Sequence, residues 1–204
     1  TAFATLPMIW RRGHLVDDGA RLGIVLSLYF FWTVGGWPWL VAPVILLASY
    51  VRLMPARPVG QPLHNLLAVI CVGSVGVAWA VAYSFSPASH WLWLFTLGIA
   101  THQAVIATVR FSQRYPRWQR LAWGSIGISH AICTQGVALW LLDREHALSS
   151  AHLTIAALCV AGAVALFTFG ERTLQMPADL NARWWAQGAT AFLASTAGLF
   201  FLPQ

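Results

Sequence analysis

Residues 91–142 read WLWLFTLGIATHQAVIATV, RFSQRYPRWQR and LAWGSIGISHAICTQGVALWLL: two apolar runs on either side of a basic connection. Each run approaches or exceeds the ~20 residues that carry a helix across the ~30 Å hydrocarbon layer of a bilayer. The connection holds Arg110, Arg114, Arg117 and Arg120 together with Tyr115, Pro116 and Trp118. Basic loops are retained on the cytoplasmic side of a membrane, and Tyr and Trp settle at the interface, so this segment is the strongest cytoplasmic anchor in the chain. The stretch therefore reads as a helical hairpin with both far ends outside.

Working outward, the same test gives spans at about 20–35, 38–54, 65–85, 91–109, 121–142, 151–169 and 185–203. The expected fold class is all-α, a polytopic transmembrane bundle of about seven spans. Gly35-Gly36-Trp37-Pro38-Trp39 joins the first two, with Gly allowing a tight turn and Pro suited to a first helical position; a full hairpin is expected, with a re-entrant or tilted pair as the alternative. Pro55, Pro58 and Pro62 break the chain after the second span, and Ser84-Phe85-Ser86-Pro87 ends the third. Residues 1–204 form a single integral membrane domain in this reading, with 1–19 a cytoplasmic or interfacial segment. Thr1 to Ala20 has no apolar core long enough for a cleaved signal, so the first span is expected to be retained.

Charge orients the bundle. The chain has twelve Arg and no Lys. Eleven of them (Arg11, Arg12, Arg21, Arg52, Arg57, Arg110, Arg114, Arg117, Arg120, Arg172 and Arg183) fall at the N-terminus and in alternate connections, and Arg144 alone lies on the other side. The N-terminus is therefore expected in the cytoplasm and the C-terminus outside. The Arg-only, Ala- and Leu-rich composition points to a GC-rich bacterium and its inner membrane. With 58% apolar and 9% charged residues, a water-soluble globule is excluded. The net charge of +6 is spread over helix ends that meet lipid headgroups, so nucleic acid is not the expected partner. Membrane lipids and other integral membrane subunits are.

Cys71, Cys133 and Cys159 lie inside apolar runs without paired spacing and read as buried thiols. Ala157, Ala161 and Ala165, and again Ala191 and Ser195, recur every four residues, which suits close helix packing, here expected within the chain. The Trp residues near span ends, Trp39, Trp93 and Trp184 among them, read as an interfacial belt.

Ionisable groups inside a span are costly and usually face the bundle interior. His102 lies eight residues before Arg110, and His130 ten residues after Arg120. Both sit roughly 12–15 Å inward from the same anchor, on consecutive helices, and could face one shared site. Gln103 and Thr134 stand beside them, and His130, Cys133 and Thr134 share a helix face. The candidate cofactor-binding set is thus His102, His130, Gln103 and Thr134, for a b-type haem or a quinone. Interhelical hydrogen bonds from each His to Ser, Thr or Gln are the structural alternative. A second candidate, for a metal, comprises His90, His146 and His152 on the outer side. No catalytic motif can be assembled, and intramembrane Asp or Glu is lacking. The expected role is a small integral or accessory subunit of an inner-membrane complex. A haem- or quinone-binding redox subunit, a transporter or a membrane-embedded sensor are the competing readings.

Overall fold

The computed structural model describes residues 18–52, 66–114, 120–142, 150–173 and 180–201. Seven helices fill them: α1 (Asp18–Gly35), α2 (Pro38–Arg52), α3 (Leu66–Phe85), α4 (Ser89–Arg114), α5 (Arg120–Leu142), α6 (Ser150–Thr173) and α7 (Leu180–Leu199). Among the described residues, three segments are long and apolar enough to cross a membrane: Leu66–Phe85, Ser89–Val109 and Ala151–Glu171. The expectations for Arg11, Arg12, Arg57, Arg117, Arg144, His146 and the C-terminus lie outside the described residues.

The turns follow from local chemistry. Gly36 has φ +72°, a left-handed conformation that costs Gly nothing, and its amide caps α1 by donating to the Trp32 carbonyl at 2.9 Å. Pro38 then opens α2, where a missing N–H costs no helical bond. Between α3 and α4 the Trp91 indole donates to the Ser86 carbonyl at 2.8 Å, pinning the Ser86-Pro87-Ala88 link. Asp18 stands in the first turn of α1, where a carboxylate complements the dipole, and pairs with Arg21 at 3.0 Å.

Packing singles out one helix. α4 lies against α2, α3, α5, α6 and α7. It also meets α1 through Phe95, whose ring sits edge-on to Phe31 at 4.9 Å. The others close a circuit around it, α1 on α2, α2 on α5, α5 on α6, α6 on α7, α7 on α3 and α3 on α1. The apolar window of α4 is accordingly 89% buried, against 39% for α3 and 22% for α6. At the Phe95 level the core is aromatic, with Trp39 against Phe95 at 4.8 Å and Tyr83 at 5.2 Å. At the other end Arg183 of α7 pairs with Glu171 of α6 at 3.1 Å.

Three expectations are corrected. Trp39, Trp93 and Trp184 are core residues rather than parts of a belt, because their helix faces turn toward neighbours; Trp32, Trp37, Trp140 and Trp185 do lie exposed. Cys71 is buried, but Cys159 is half-buried and Cys133 exposed. On α6 the inward residues are Val160, Ala163, Val164 and Phe167, so the Ala157, Ala161, Ala165 series runs along the flank and outer face. Val160, Val164 and Phe167 fill the inward side with Ala163 between them, and the Ala157, Ala161, Ala165 series is turned aside. Ala191 and Ser195 of α7 are fully buried, as expected.

Candidate functional site

The polar centre of the bundle is a chain of amides and hydroxyls linking α2, α4 and α5. Gln135 of α5 donates through Nε2 to the Gln103 Oε1 of α4 at 2.8 Å and to the Ala42 carbonyl of α2 at 3.2 Å. Gln103 in turn donates through Nε2 to Thr134 Oγ1 at 2.9 Å and to Ser49 Oγ at 3.3 Å. Thr134 passes its proton to the His130 carbonyl at 2.8 Å. Every bond runs donor to acceptor, and the Ala42 carbonyl, which can only accept, fixes which end of the Gln135 amide faces α2. Gln103, Gln135 and Ser49 are all buried, so the chain replaces the water these groups would otherwise require.

Of the residues singled out from sequence, Gln103 and Thr134 are thus brought into direct contact. Gln135 and Ser49 were not among the residues singled out. Their signal was present, since each is a lone polar residue inside an apolar run, but nothing in the sequence says which helices adjoin.

His102 and His130 are arranged differently. His102 is fully buried, and neither ring nitrogen has a hydrogen-bond partner. It lies on the ridge of α4 between Gly98 and Ile106, four residues from each. Gly98 sits against Val75 of α3 and Ser195 of α7, and Ile106 packs with Ala68, Cys71 and Trp184 of the same two helices. Gln103 lies ~100° further round the helix, toward α5. His102 therefore belongs to the α3–α7 side of α4. On α5, His130 is half-buried, its Nε2 is without a partner, and Cys133 beside it is exposed. The expected interhelical hydrogen bonds from these imidazoles are not formed, and no pocket of His130, Cys133 and Thr134 is assembled.

A macrocycle does not fit between α4 and α5. A Cβ placed on Gly127 would lie 3.0 Å from the backbone nitrogen of Thr108, so the two helices touch backbone to backbone. On the other side, a Cβ on Gly188 would come within 2.9 Å of the Cys71 carbonyl oxygen, which closes α7 on α3 beside His102. The quinone arrangement meets a different obstacle. Gln103 Nε2 is spent on Thr134 and Ser49 and the Thr134 hydroxyl on the His130 carbonyl, so neither of these two offers a donor to a ligand carbonyl.

Toward the outer ends, His90 stacks obliquely on Trp91 at 4.4 Å and His152 meets Trp93 edge-on at 6.1 Å. Among the described residues no three His, Cys, Asp or Glu side chains converge to hold a metal ion. One further buried pair ties α3 to α7: the Trp79 indole donates to Ser195 Oγ at 3.1 Å.

In comparisons with family models, curated proteins and solved structures, none matches this chain.

Proposed function

We propose that this chain is a seven-span inner-membrane protein, N-terminus in the cytoplasm and C-terminus outside, that serves as a packing subunit of a larger membrane assembly. The observation that carries the reading is the outer face of α6. Gly162 there has nothing within 4 Å of a would-be Cβ, and Ala161 and Ala165 flank it. Small residues on a lipid-facing surface let a second helix approach closely where lipid offers no hydrophobic drive. Leu158, Leu166 and Phe169 border the strip as exposed apolar ridges. The Arg distribution supports the orientation, and the inward-turned polar centre supports a role exercised through the perimeter.

The test is gentle extraction of the tagged chain, mass spectrometry of stoichiometric partners and a reduced-minus-oxidised visible spectrum. Partners that are lost in Gly162→Trp, with no visible absorbance, support the packing reading. A haem band that vanishes in His102→Ala or His130→Ala would replace it with the redox-subunit reading.

A further inference from the structure

The seam between α2, α4 and α5 ends in arginine. α2 stops at Arg52, α4 stops at Arg114 and α5 starts at Arg120. These three ends lie together. α2 runs with α4, since Trp39 sits on Phe95 and Ser49 on Gln103, and α5 runs against it, with Thr134 on Gln103 and Gly124 and Gly127 on Thr108. Counted on from the Ser49–Gln103 and Gly124–Thr108 levels at ~1.5 Å per residue, Arg52, Arg110, Arg120 and Arg114 follow in that order within a layer ~12 Å deep.

Their register positions around the helices agree as well. Arg110 and Arg114 come seven and eleven residues after Gln103, and Arg120 comes four and seven residues before Gly124 and Gly127. Such spacings return to one helix face within ~20–40°. The faces in question are the ones that meet across the seam, as the bonds of Gln103 and the approach of the two glycines to Thr108 establish. Arg52 stands one turn beyond Ser49.

The chain supplies no counter-charge to this group. From Gly19 to Leu142 it contains no Asp or Glu. Among the described residues the carboxylates at this end of the bundle are Asp18 and Glu171, and each holds an arginine of its own, Arg21 at 3.0 Å and Arg183 at 3.1 Å. Retention of basic residues on one side of a membrane accounts for the side on which the four lie, but not for their gathering on one three-helix seam. Like charges so placed repel, and an anion seated among them turns that repulsion into attraction.

We propose that this end of the α2–α4–α5 seam binds the headgroup of an anionic phospholipid carrying two phosphates, through Arg52, Arg110, Arg114 and Arg120. A guanidinium fork takes two phosphate oxygens at once, so four arginines on helices packed ~8–10 Å apart offer more donors than one phosphate can use. A lipid suits the place better than a soluble phosphate, because the seam closes at the end of apolar helices, at the depth where headgroups lie. The inference rests on the bundle spanning a bilayer and not on its role as a packing subunit.

The test is native mass spectrometry of the full chain in detergent, with diphosphatidylglycerol, phosphatidylglycerol and phosphatidylcholine as probes. Diphosphatidylglycerol should bind one to one and about tenfold more tightly than phosphatidylglycerol, the contribution of one further charge-assisted pair. Arg110→Gln with Arg120→Gln should remove that preference. Arg21→Gln with Arg183→Gln lowers the net charge equally and should keep it. Arg114→Gln alone, a single change at the last residue of α4, should weaken diphosphatidylglycerol and leave phosphatidylcholine unchanged. A preference that survives both the first pair and Arg114→Gln, or that is lost equally in the control pair, would overturn the proposal. So would inorganic pyrophosphate binding as tightly as the lipid, which would mark a site for a soluble polyphosphate. Flotation with phosphatidylcholine vesicles separates the two readings: a chain that stays behind refutes the membrane span and this site with it, and one that floats without discriminating between the lipids refutes this site alone.

Discussion

Gln135 gives an amide proton to Gln103 across the α4–α5 boundary at 2.8 Å, and Gln103 gives its own to Thr134 and Ser49, so a single fully buried side chain ties three helices together. Replacing it leaves several groups short at once. Gln103→Leu should lower stability by about 1–2 kcal/mol, and Ser49→Ala, whose donor retains Thr134, by about 0.5 kcal/mol. Thermal unfolding of the two variants in one detergent checks the order.

His102 should behave in the opposite sense. A buried imidazole without a partner is a cost to the fold, so His102→Leu should raise stability by about 1–3 kcal/mol. A melting temperature that falls instead would mean the imidazole is paired in the membrane. A rise accompanied by lost partner binding would mark His102 as retained for function.

Two glycines should respond to Ala with opposite signs. At Gly188 the new methyl would press on the Cys71 carbonyl oxygen at 2.9 Å and force α7 away from α3, costing about 1–3 kcal/mol. At Gly162 the methyl meets open space, and the gain in helix propensity should stabilise by about 0.5–1 kcal/mol. Equilibrium unfolding of both variants against the parent checks the pair.

The proposed orientation is open to chemical labelling. With Cys71, Cys133 and Cys159 replaced by Ala, a membrane-impermeant maleimide should modify Ser86→Cys in right-side-out vesicles and Ser112→Cys only in inverted ones. Modification of both from the same side would refute the threading.

How much of this was written in the sequence depends on the scale. Apolar runs ended by Gly and Pro placed the helices to within a few residues, as at 38–54 against Pro38–Arg52 and 65–85 against Leu66–Phe85. The last helix shows where such reading slips, since Leu180–Leu199 starts earlier than 185–203: Arg183 and the polar residues near it lower the hydropathy of its first turn without unwinding it. Helix rotation was not legible. Matched depth suggested that His102 and His130 face each other, but one residue along a helix is ~100°, and only the packing partners of Gly98 and Ile106 reveal which way His102 is turned. The Gln103–Thr134 contact was within reach because the two lie on consecutive helices. Ser49 was not, because α2 reaches α4 from the far side of another hairpin.

The central position of α4 also bears on how the chain is made. Three of the six helices that enclose it, α5, α6 and α7, are synthesised after it, and the circuit closes only when α7 reaches α3. In a chain that enters the bilayer from its N-terminus, Gln103 would gain its partners when α5 arrives, whereas His102, on the α3–α7 side, would wait for the last helix. That helix is the keystone of biogenesis: a chain halted before residue 180 holds five of the six enclosing helices and leaves α4 uncovered between α6 and α3.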